Sequence, residues 1–235
     1  MKRGTVYLIP VSIADDTSNA VLTSAVRDVL PGVRYFLVEN ARTARRYLSS
    51  LKIYESIEPL RFEILDKDTS AQQMADLFKI VMQGENVGIM SESGCPGIAD
   101  PGSIAVDYAH RNDLRVVPLV GPSSIVLALM ASGLNGQHFA FHGYLPIESK
   151  DLSKAIREYE RESKQKKQTQ IFIETPYRNN SVMKALLRSL SDSTRLTVAL
   201  DLTGQNESIV TKTVREWREQ GIEFPKLPAV FLFLG

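Results

Sequence analysis

The sequence contains one cysteine, three histidines and one tryptophan in 235 residues. The single cysteine, Cys95, excludes an internal disulfide, and three histidines provide no familiar spacing of metal ligands. We therefore expect a metal-free, cytoplasmic protein. No window approaches the roughly 18 consecutive apolar residues of a membrane span, and the apolar segment Val6 to Pro10 is too short for a signal-peptide core. These absences favour a protein without a membrane partner.

The charge balance has no strong sign, because 28 basic and 27 acidic residues leave a formal net charge of +1. Such a chain has no overall attraction for nucleic acid, so any contact with RNA needs a local basic surface. The candidates for that surface are Arg42, Arg45 and Arg46, and Lys164, Lys166 and Lys167. For the lysine run, a solvated helix end is the favoured alternative.

Buried strands and amphipathic helices alternate along most of the chain. The predicted strands are Thr5 to Ile9, Tyr35 to Val38, Asn86 to Met90, Arg115 to Val120, Gln170 to Ile173, Arg195 to Leu200 and Ala229 to Leu234. The predicted helices are Ser18 to Leu30, Thr43 to Leu51, Ala71 to Gln83, Ser103 to Arg111, Ser124 to Ser132, Glu148 to Lys167, Asn180 to Leu190 and Val210 to Gln220. This alternation predicts an α/β fold with mostly parallel sheets.

The alternation of strands and helices is interrupted at the glycine- and proline-containing stretch Gly133 to Pro146, and a strongly charged helical segment follows this stretch. We expect a domain boundary near Pro146. The predicted domains are residues 1–146, which carry the glycine- and proline-rich loops, and residues 147–235.

The most informative segment is S-E-S-G-C-P-G-I-A-D-P-G, from Ser91 to Gly102. Glycine and proline preset its turns and leave little side-chain bulk, so a ligand could approach the backbone N–H groups. A second small loop, Val120 to Ser124, follows the next predicted strand. Ligands of open α/β sheets bind at such carboxyl ends of strands, although tight helix-capping turns are the structural alternative. Neither loop is a G-x-G-x-x-G motif or a P-loop, which disfavours NAD and ATP.

These segments resemble the tetrapyrrole-methylase superfamily of S-adenosylmethionine-dependent enzymes. Within it, the chain is most similar to the branch that 2′-O-methylates a cytidine ribose of bacterial small-subunit ribosomal RNA. That branch reads S-D-A-G-T-P-G-I-S-D-P-G at Ser91 to Gly102 and P-G-P-S-A at Val120 to Ser124. Its G-F-L-P, E-S-P-H-R and C-E-D-T-R motifs align with Gly143 to Pro146, Glu174 to Arg178 and Val38 to Arg42.

The resemblance implies two α/β domains that hold S-adenosylmethionine in the cleft between them, commonly as a homodimer. It implies that the cofactor contacts residues of the two loops, namely Ser93, Gly94, Cys95, Gly97, Ile98, Ser123, Ser124 and Ile125. It also implies that the cleft is bordered by Pro10 and closed by Tyr144, Leu145, Leu202, Pro228 and Ala229. The substrate it implies is RNA, free or in a ribosomal subunit.

Several positions depart from the motifs of the resembled branch, and most of the departures remove charge. The usual P-I-G-N-L is Pro10 to Ala14 here, and the aspartate and threonine of E-D-T-R are Asn40 and Ala41. The usual basic pair after G-F-L-P is Ile147-Glu148, R-E-L-T-K has become Leu200 to Gly204, and the following H-E is Asn206-Glu207. Methyl transfer is therefore better supported than the ribosomal cytidine.

Three carboxylates, Glu39, Glu92 and Glu174, follow or end predicted strands near the expected cleft. A ribose hydroxyl is a poor nucleophile at neutral pH, so a proton acceptor would help. We predict Glu39 as that acceptor, with Arg42 holding a phosphate and Glu174 as a further catalytic candidate. Ion pairs with Arg42 and Arg178 are the structural alternatives for Glu39 and Glu174.

Other conspicuous residues have structural interpretations that are favoured over catalytic ones. Asp100 is expected to be a turn or capping residue, and Cys95 to pack within its loop because no histidine lies near it in sequence. His138 and His142 are expected to have satisfied structural roles. Trp217, Tyr35 and Phe36 are expected to pack in cores, although an exposed ring could stack on a base.

Two other functions stay open at this stage. The same cofactor could serve a tetrapyrrole-like small molecule or a protein side chain, because the substrate is not set by the fold. The third possibility is a non-catalytic cofactor-binding protein. Methylation of RNA or of ribosomal subunits would separate the RNA enzyme from both alternatives.

Overall fold

A computed structural model describes residues 3–221 and 223–235. The strands are β1 (Thr5–Leu8), β2 (Tyr35–Val38), β3 (Arg61–Ile64), β4 (Val87–Met90), β5 (Arg115–Pro118), β6 (Phe139–Tyr144), β7 (Thr169–Glu174), β8 (Arg195–Leu200), β9 (Ser208–Thr213) and β10 (Ala229–Leu234). The helices are α1 (Ser18–Val21), α2 (Ser24–Val29), α3 (Ala41–Ser50), α4 (Ala71–Met82), α5 (Gly102–Arg111), α6 (Ser124–Ser132), α7 (Ser149–Lys166), α8 (Asn179–Ser189) and α9 (Val214–Gln220). None of the helices in this described part is long and apolar enough to cross a membrane.

The chain divides into two compact units, of which the first ends at Ser123 and the second begins at Ser124. The boundary predicted near Pro146 lies inside the second unit. The reason is packing, because α6 buries Ile125 and Leu129 against Leu232 of β10, and β6 pairs with β7. Both elements therefore belong to the second unit, although they precede the change in composition.

The first unit is built on a five-stranded, all-parallel sheet in the order β3-β2-β4-β1-β5. Alternate residues of β2 point to opposite faces, as the strand period of two requires. Phe36 packs with Leu48 of α3 on one face, and Leu37 packs with Phe78 of α4 on the other. The chain passes from β2 to β3 at one edge of the sheet, and from β4 to β5 at the opposite edge. The carboxyl ends of β2 and β4 therefore form a switch point, which is where such sheets bind ligands.

The second unit contains a mixed sheet in the order β6-β7-β10-β8-β9. Only β6 and β7 are parallel, whereas β10 runs antiparallel to β7 and β8, and β8 runs antiparallel to β9. The prediction of mostly parallel sheets is therefore wrong for this unit. The physical reason is that a short loop, rather than a crossover helix, joins β8 to β9.

Most predicted elements are confirmed to within a few residues, but three strands were not predicted. They are β3, β6 and β9, of which β9 overlaps the predicted helix Val210 to Gln220. That helix begins only at Val214, because Thr213 caps it and forms a capping box with Glu216. The predicted helix Ser18 to Leu30 is divided into α1 and α2.

The core of the second unit confirms the structural interpretation of Trp217. Its ring is buried, and its Nε1 donates a hydrogen bond to the Leu196 carbonyl at 2.8 Å. Tyr35 and Phe36 are buried in the first unit, as predicted. His142 lies 2.6 Å from Gln170 Oε1, and His138 lies 2.9 Å from the Lys166 carbonyl, so both histidines have structural partners.

Candidate functional site

The glycine- and proline-rich segment leaves β4 and is tied to the segments that leave both β1 and β5. The Val11 N–H donates to the Gly94 carbonyl at 2.8 Å, and the Gly94 N–H donates back to the Val11 carbonyl at 3.1 Å. On the other side, Cys95 Sγ lies 3.2 Å from the Pro122 carbonyl oxygen. The two predicted loops therefore meet around β1 at the carboxyl edge of the first sheet.

Left-handed backbone conformations explain why glycine occupies two positions of this segment. Gly94 has φ +74° and Gly97 has φ +85°, and side chains other than glycine rarely adopt such angles. Asp100 fixes the turn between them and α5, because its carboxylate accepts from Gly97 N at 2.9 Å and from Gly102 N at 2.7 Å. The predicted role of Asp100 as a turn residue is confirmed.

The segment offers an open backbone surface. A Cβ added to Gly97 would meet no atom within 4 Å, and Ile98 is 49% exposed. The N–H groups of Gly94 and Gly97 are already used by Val11 and Asp100, so they are not free for a ligand. Pro96 and Gly97 occupy the centre of a turn that directs the Ile98 N–H back towards the Cys95 carbonyl. Within residues 3–221 and 223–235, the Cys95 N–H has no hydrogen-bond acceptor, so it is a donor that remains to meet a ligand.

The loop that follows β5 approaches the end of β1 closely. A Cβ added to Gly121 would lie 2.1 Å from Pro10 Cβ, so this contact admits only glycine. Ser123 ends the first unit, while Ser124 is the first residue of α6 and Ile125 is buried in the core of the second unit. The predicted residue Pro10 therefore packs against the turn at Gly121, and this contact lies within the first unit.

Cys95 has the environment of a packed thiol. Burial, with a smaller contribution from the nearby charge of Asp100, raises the pKa of the Cys95 thiol above its ordinary value. A raised pKa suppresses the thiolate that a nucleophile needs. The packing interpretation of Cys95 is therefore favoured over nucleophilic catalysis.

Glu39 follows β2 at the switch point and faces Glu92, which follows β4. The Glu92 N–H donates to Glu39 Oε1 at 3.4 Å, and the Thr43 hydroxyl donates to Glu92 Oε1 at 3.4 Å. Burial, and then the negative charges of Asp100 and Glu92, raise the pKa of Glu39, although the hydrogen bond from Glu92 opposes the change. A raised pKa makes this carboxylate a better proton acceptor.

Arg42 lies on the first turn of α3, which Asn40 caps by accepting from the N–H groups of Arg42 and Thr43. In the described part of the chain, Arg42 forms no ion pair with Glu39 or with any other carboxylate. The ion-pair alternative for Glu39 and Arg42 is therefore not realised. The guanidinium remains exposed to solvent.

The sequence analysis missed a polar cavity of about 620 Å³ in the first unit, next to these carboxylates. It is enclosed by the segment after β1, by α1 and by one side of α3, together with Glu92. The segment after β1 departs from the family motif, so its sequence gave no indication of the cavity. Val11, which was not predicted either, both lines the cavity and bonds to Gly94.

The residues predicted to close the site from the second unit lie at one edge of its sheet. Tyr144 ends β6, Glu174 ends β7, and the register places Ala229 opposite both Glu174 and Leu200. Pro228 accepts a hydrogen bond from the N–H of Asp201. The Tyr144 side chain is 59% exposed, whereas the side chains of Leu145, Leu202 and Ala229 are buried. These three could therefore meet a cofactor only through their backbone.

Glu174 forms the ion pair with Arg178 that was the structural alternative to a catalytic role. Its carboxylate is fully buried, accepts from the Thr175 N–H at 2.7 Å, and lies 3.4 Å from the Arg178 guanidinium. The second oxygen, Oε2, has this ion pair but no hydrogen bond of good geometry. A carboxylate that is inaccessible in this way is a weaker candidate for proton transfer than Glu39.

Comparisons with known proteins agree with this architecture. The family model of the "Tetrapyrrole (Corrin/Porphyrin) Methylases" matches residues 16–217. The "Ribosomal RNA small subunit methyltransferase I" of Buchnera aphidicola subsp. Acyrthosiphon pisum is 26% identical over 92% of this chain and 74% of its own length. The protein of the same name from Escherichia coli O157:H7 is 30% identical over 88% of this chain and 68% of its own length.

A solved structure has the same fold at low sequence identity. The "Uroporphyrin-III C-methyl transferase from Thermus thermophilus complexed with S-adenyl homocysteine" gives a TM-score of 0.57 at 18% identity. The alignment covers 98% of this chain and 97% of that one. The family model spans most of the sequence, including the segments after β2 and β4 at the switch point. This chain therefore belongs to the tetrapyrrole (corrin/porphyrin) methylases.

Proposed function

We propose that this protein transfers the methyl group of S-adenosylmethionine to ribosomal RNA, and that the acceptor is a ribose 2′-hydroxyl. The observation that carries the proposal is the extended similarity to proteins named small-subunit ribosomal RNA methyltransferases, which spans 92% of this chain in one of them. The glycine- and proline-rich segment of the first unit provides the backbone surface for the cofactor.

The open space above Gly97 and the unpaired N–H group of Cys95 fit a flat, polar cofactor. When bound, S-adenosylmethionine supplies a methyl group on a positively charged sulfur, which is already an activated leaving group. The protein then contributes mainly orientation and proximity. The residues proposed to hold the cofactor are Pro10, Ser93, Gly94, Cys95, Gly97, Ile98, Ser123, Ser124, Ile125, Tyr144, Leu145, Leu202, Pro228 and Ala229.

Glu39 is proposed to accept or orient the proton of the acceptor hydroxyl. Its raised pKa, its position at the switch point and its contact with Glu92 support this role. Arg42 is proposed to hold a phosphate, because it is exposed and, among the described residues, unpaired. The enzyme is further proposed to act as a cytoplasmic homodimer; sedimentation equilibrium and cell fractionation test these two features.

A small-molecule acceptor is the second candidate. It is favoured by the loss of the basic pair that follows G-F-L-P in the RNA-methylating branch, because this chain has Ile147-Glu148 there. The name of the structural relative from Thermus thermophilus includes such an acceptor, uroporphyrin III.

The deciding experiment uses S-adenosylmethionine with a labelled methyl group. The protein is incubated separately with small ribosomal subunits, with naked RNA and with a protein-free extract of small molecules. Label in a 2′-O-methylated nucleoside after digestion supports the proposal. Label only in the small-molecule fraction supports the second candidate, and cofactor binding without transfer to any fraction contradicts both.

A further inference from the structure

The polar cavity of the first unit has the size of a nucleoside site. Its volume of about 620 Å³ falls within the range of roughly 300–1,000 Å³ that ligand pockets have. All of its lining residues belong to the first unit and lie among the described residues. The cavity therefore does not depend on how the two units are arranged.

Hydroxyl groups form one part of the wall. Tyr47 Oη accepts from the Ser12 N–H at 3.2 Å, and the Ser18 hydroxyl donates to Ser12 Oγ at 3.4 Å. Burial raises the pKa of the Tyr47 phenol, so it stays neutral and keeps a proton to donate. This wall can donate and accept hydrogen bonds without carrying a charge.

Carboxylates form another part of the wall. Asp15, Asp16 and Glu92 line the cavity, and Arg46 is the cation that lines it with them. Carboxylates accept hydrogen bonds and repel anions, so the interior suits a group that is rich in donors and free of phosphate. Ribose hydroxyls and the exocyclic amino group of cytosine are donors of this kind.

The helix that contributes one wall of the cavity also carries two arginines of the opposite charge. Arg42 and Arg46 are four residues apart on α3, and therefore lie on the same side of that helix. Both are exposed, and neither forms an ion pair within residues 3–221 and 223–235. Arg45 differs, because its guanidinium lies 4.7 Å from the centre of the Phe62 ring. Arg46 lines the cavity and Arg42 precedes Arg46 by one turn on the same helix, so two free guanidinium groups next to the cavity fit the phosphates that flank a nucleoside.

The cavity adjoins the segment proposed to hold the methyl donor. Val11 lines the cavity and is hydrogen-bonded in both directions to Gly94. Glu92 also lines the cavity and is bonded to Glu39. A hydroxyl placed in the cavity would therefore lie near both the donor segment and the proposed proton acceptor.

We infer that this cavity receives the acceptor nucleoside of an RNA, with Ser12, Tyr47 and the carboxylates contacting sugar and base, and with Arg42 and Arg46 contacting the flanking phosphates. This inference rests on the proposed function and adds to it the position of the substrate. It assigns the acceptor and the cofactor to neighbouring positions in the first unit, because the hydrogen-bonded pair Val11 and Gly94 joins the cavity to the segment proposed to hold the methyl donor.

Arg46→Gln and Tyr47→Phe test the inference, with Arg157→Gln on α7 as a matched control in an exposed position of the second unit. Binding of a short single-stranded RNA from the small-subunit ribosomal RNA is measured with S-adenosylhomocysteine present, at several salt concentrations. For Arg46→Gln, we expect about tenfold weaker RNA binding and a decrease of about one in the slope of log Kd against log salt. Tyr47→Phe should weaken binding without changing that slope.

The affinity for S-adenosylhomocysteine, measured by calorimetry, should be unchanged in all three variants, and Arg157→Gln should bind RNA like the wild type. Unchanged RNA binding by both cavity variants would overturn the inference while leaving methyl transfer to RNA intact. If the wild type methylates no RNA, the proposed function fails instead. In that case, titration with cytidine tests directly whether the cavity binds a nucleoside. Weaker cytidine binding by Tyr47→Phe than by the wild type supports a nucleoside site, and no cytidine binding by the wild type overturns it.

Discussion

The two units build their carboxyl edges differently. In the first unit, every strand of the parallel sheet ends at the same edge, and helices on the faces return the chain to the other edge. The segments after β1, β2, β4 and β5 are therefore all available at one place. In the second unit, antiparallel pairing brings the start of β10 to the edge where β7 and β8 end. At that edge three of the predicted contacts, Leu145, Leu202 and Ala229, have buried side chains and offer only their backbone.

The loops at these edges are also held in different ways. The segment after β4 uses glycine at two of its three left-handed positions, 94 and 97, and only Ala99, with φ +63°, is a residue other than glycine. The loop after β8 places Asp201 and Thr203 at positive φ instead, with values of +47° and +68°. Side chains hold this second loop, because Asp201 accepts from Asn206 N at 2.9 Å and Glu207 accepts from Thr203 N at 2.7 Å. Glycine leaves an open surface in the segment after β4, whereas the side chains of Asp201 and Glu207 fill the turn in the loop after β8.

The largest expected effect concerns the core of the second unit. Trp217→Ala should lower the free energy of unfolding by about 3–5 kcal/mol, because it leaves a cavity and removes the hydrogen bond to the Leu196 carbonyl. Urea unfolding measures the loss. Glu219→Ala, an exposed position on the same helix, should change stability by less than about 0.5 kcal/mol. A loss below about 1 kcal/mol for Trp217→Ala would show that this core tolerates the cavity.

The next effect tests the open glycine surface of the first unit. Gly97→Val should weaken S-adenosylmethionine binding by at least about 1,000-fold, or about 4 kcal/mol, because a branched side chain would occupy the space above this residue. Calorimetry measures the affinity. Gly136→Val is the control, because that glycine is exposed, has no positive φ and has open space around it.

Gly97→Val also strains the backbone, since a left-handed residue other than glycine costs about 1–2 kcal/mol. Gly97→Ala distinguishes strain from occlusion, because it has the same unfavourable φ with a smaller side chain. We expect it to bind the cofactor more tightly than Gly97→Val. Unchanged affinity in both variants would refute the position of the cofactor.

A third prediction concerns Glu39. Glu39→Gln should lower kcat by about 100-fold, the lower range for removal of a general base, while Glu58→Gln, an exposed control, should not. Because the pKa of Glu39 is raised, wild-type activity should fall as the pH drops through a value above 4.5. The variant should lack that acidic limb. An identical pH profile in wild type and variant would exclude Glu39 as the proton acceptor.

Stability should respond to Glu39 in the opposite direction. A carboxyl group whose pKa is raised in the folded state favours folding below its unfolded pKa, and this contribution is lost as the pH rises through the folded pKa. At neutral pH, the ionised Glu39 therefore costs stability. Glu39→Gln should unfold at an equal or higher urea concentration than the wild type at pH 7, and a clear decrease would contradict the cause assigned to the pKa.

The smallest predicted effect concerns Asp100, which fixes the turn next to Gly97. Asp100→Asn keeps an acceptor oxygen but loses the charge that strengthens the bonds from Gly97 N and Gly102 N. We expect a loss of about 1 kcal/mol in the free energy of unfolding. Asp28→Asn is the exposed control. No loss in Asp100→Asn would mean that the turn is held by its glycines and prolines alone.

Local sequence signals predicted the elements that depend on local physics. The apolar runs gave β2, β8 and β10 with their observed bounds, and helical periodicity gave α6 from Ser124 to Ser132. The exposed or half-buried strands β3, β6 and β9 lack such continuous runs, so the pattern did not separate them from loops or helices. Their strand conformation depends on pairing with neighbours that are distant in sequence.

The sequence by itself determined where the backbone must turn sharply and which stretches must be buried, because glycine, proline and apolar periodicity act over a few residues. Only the tertiary structure decided that Val11 pairs with Gly94 and that Arg178 approaches the buried Glu174 while Arg42 remains free. It also decided that the segment after β1, together with α1 and α3, encloses a polar cavity. Each of these features joins chain segments through strand order and side-chain orientation. No local pattern of residues encodes that order, since it arises from the packing of the whole sheet.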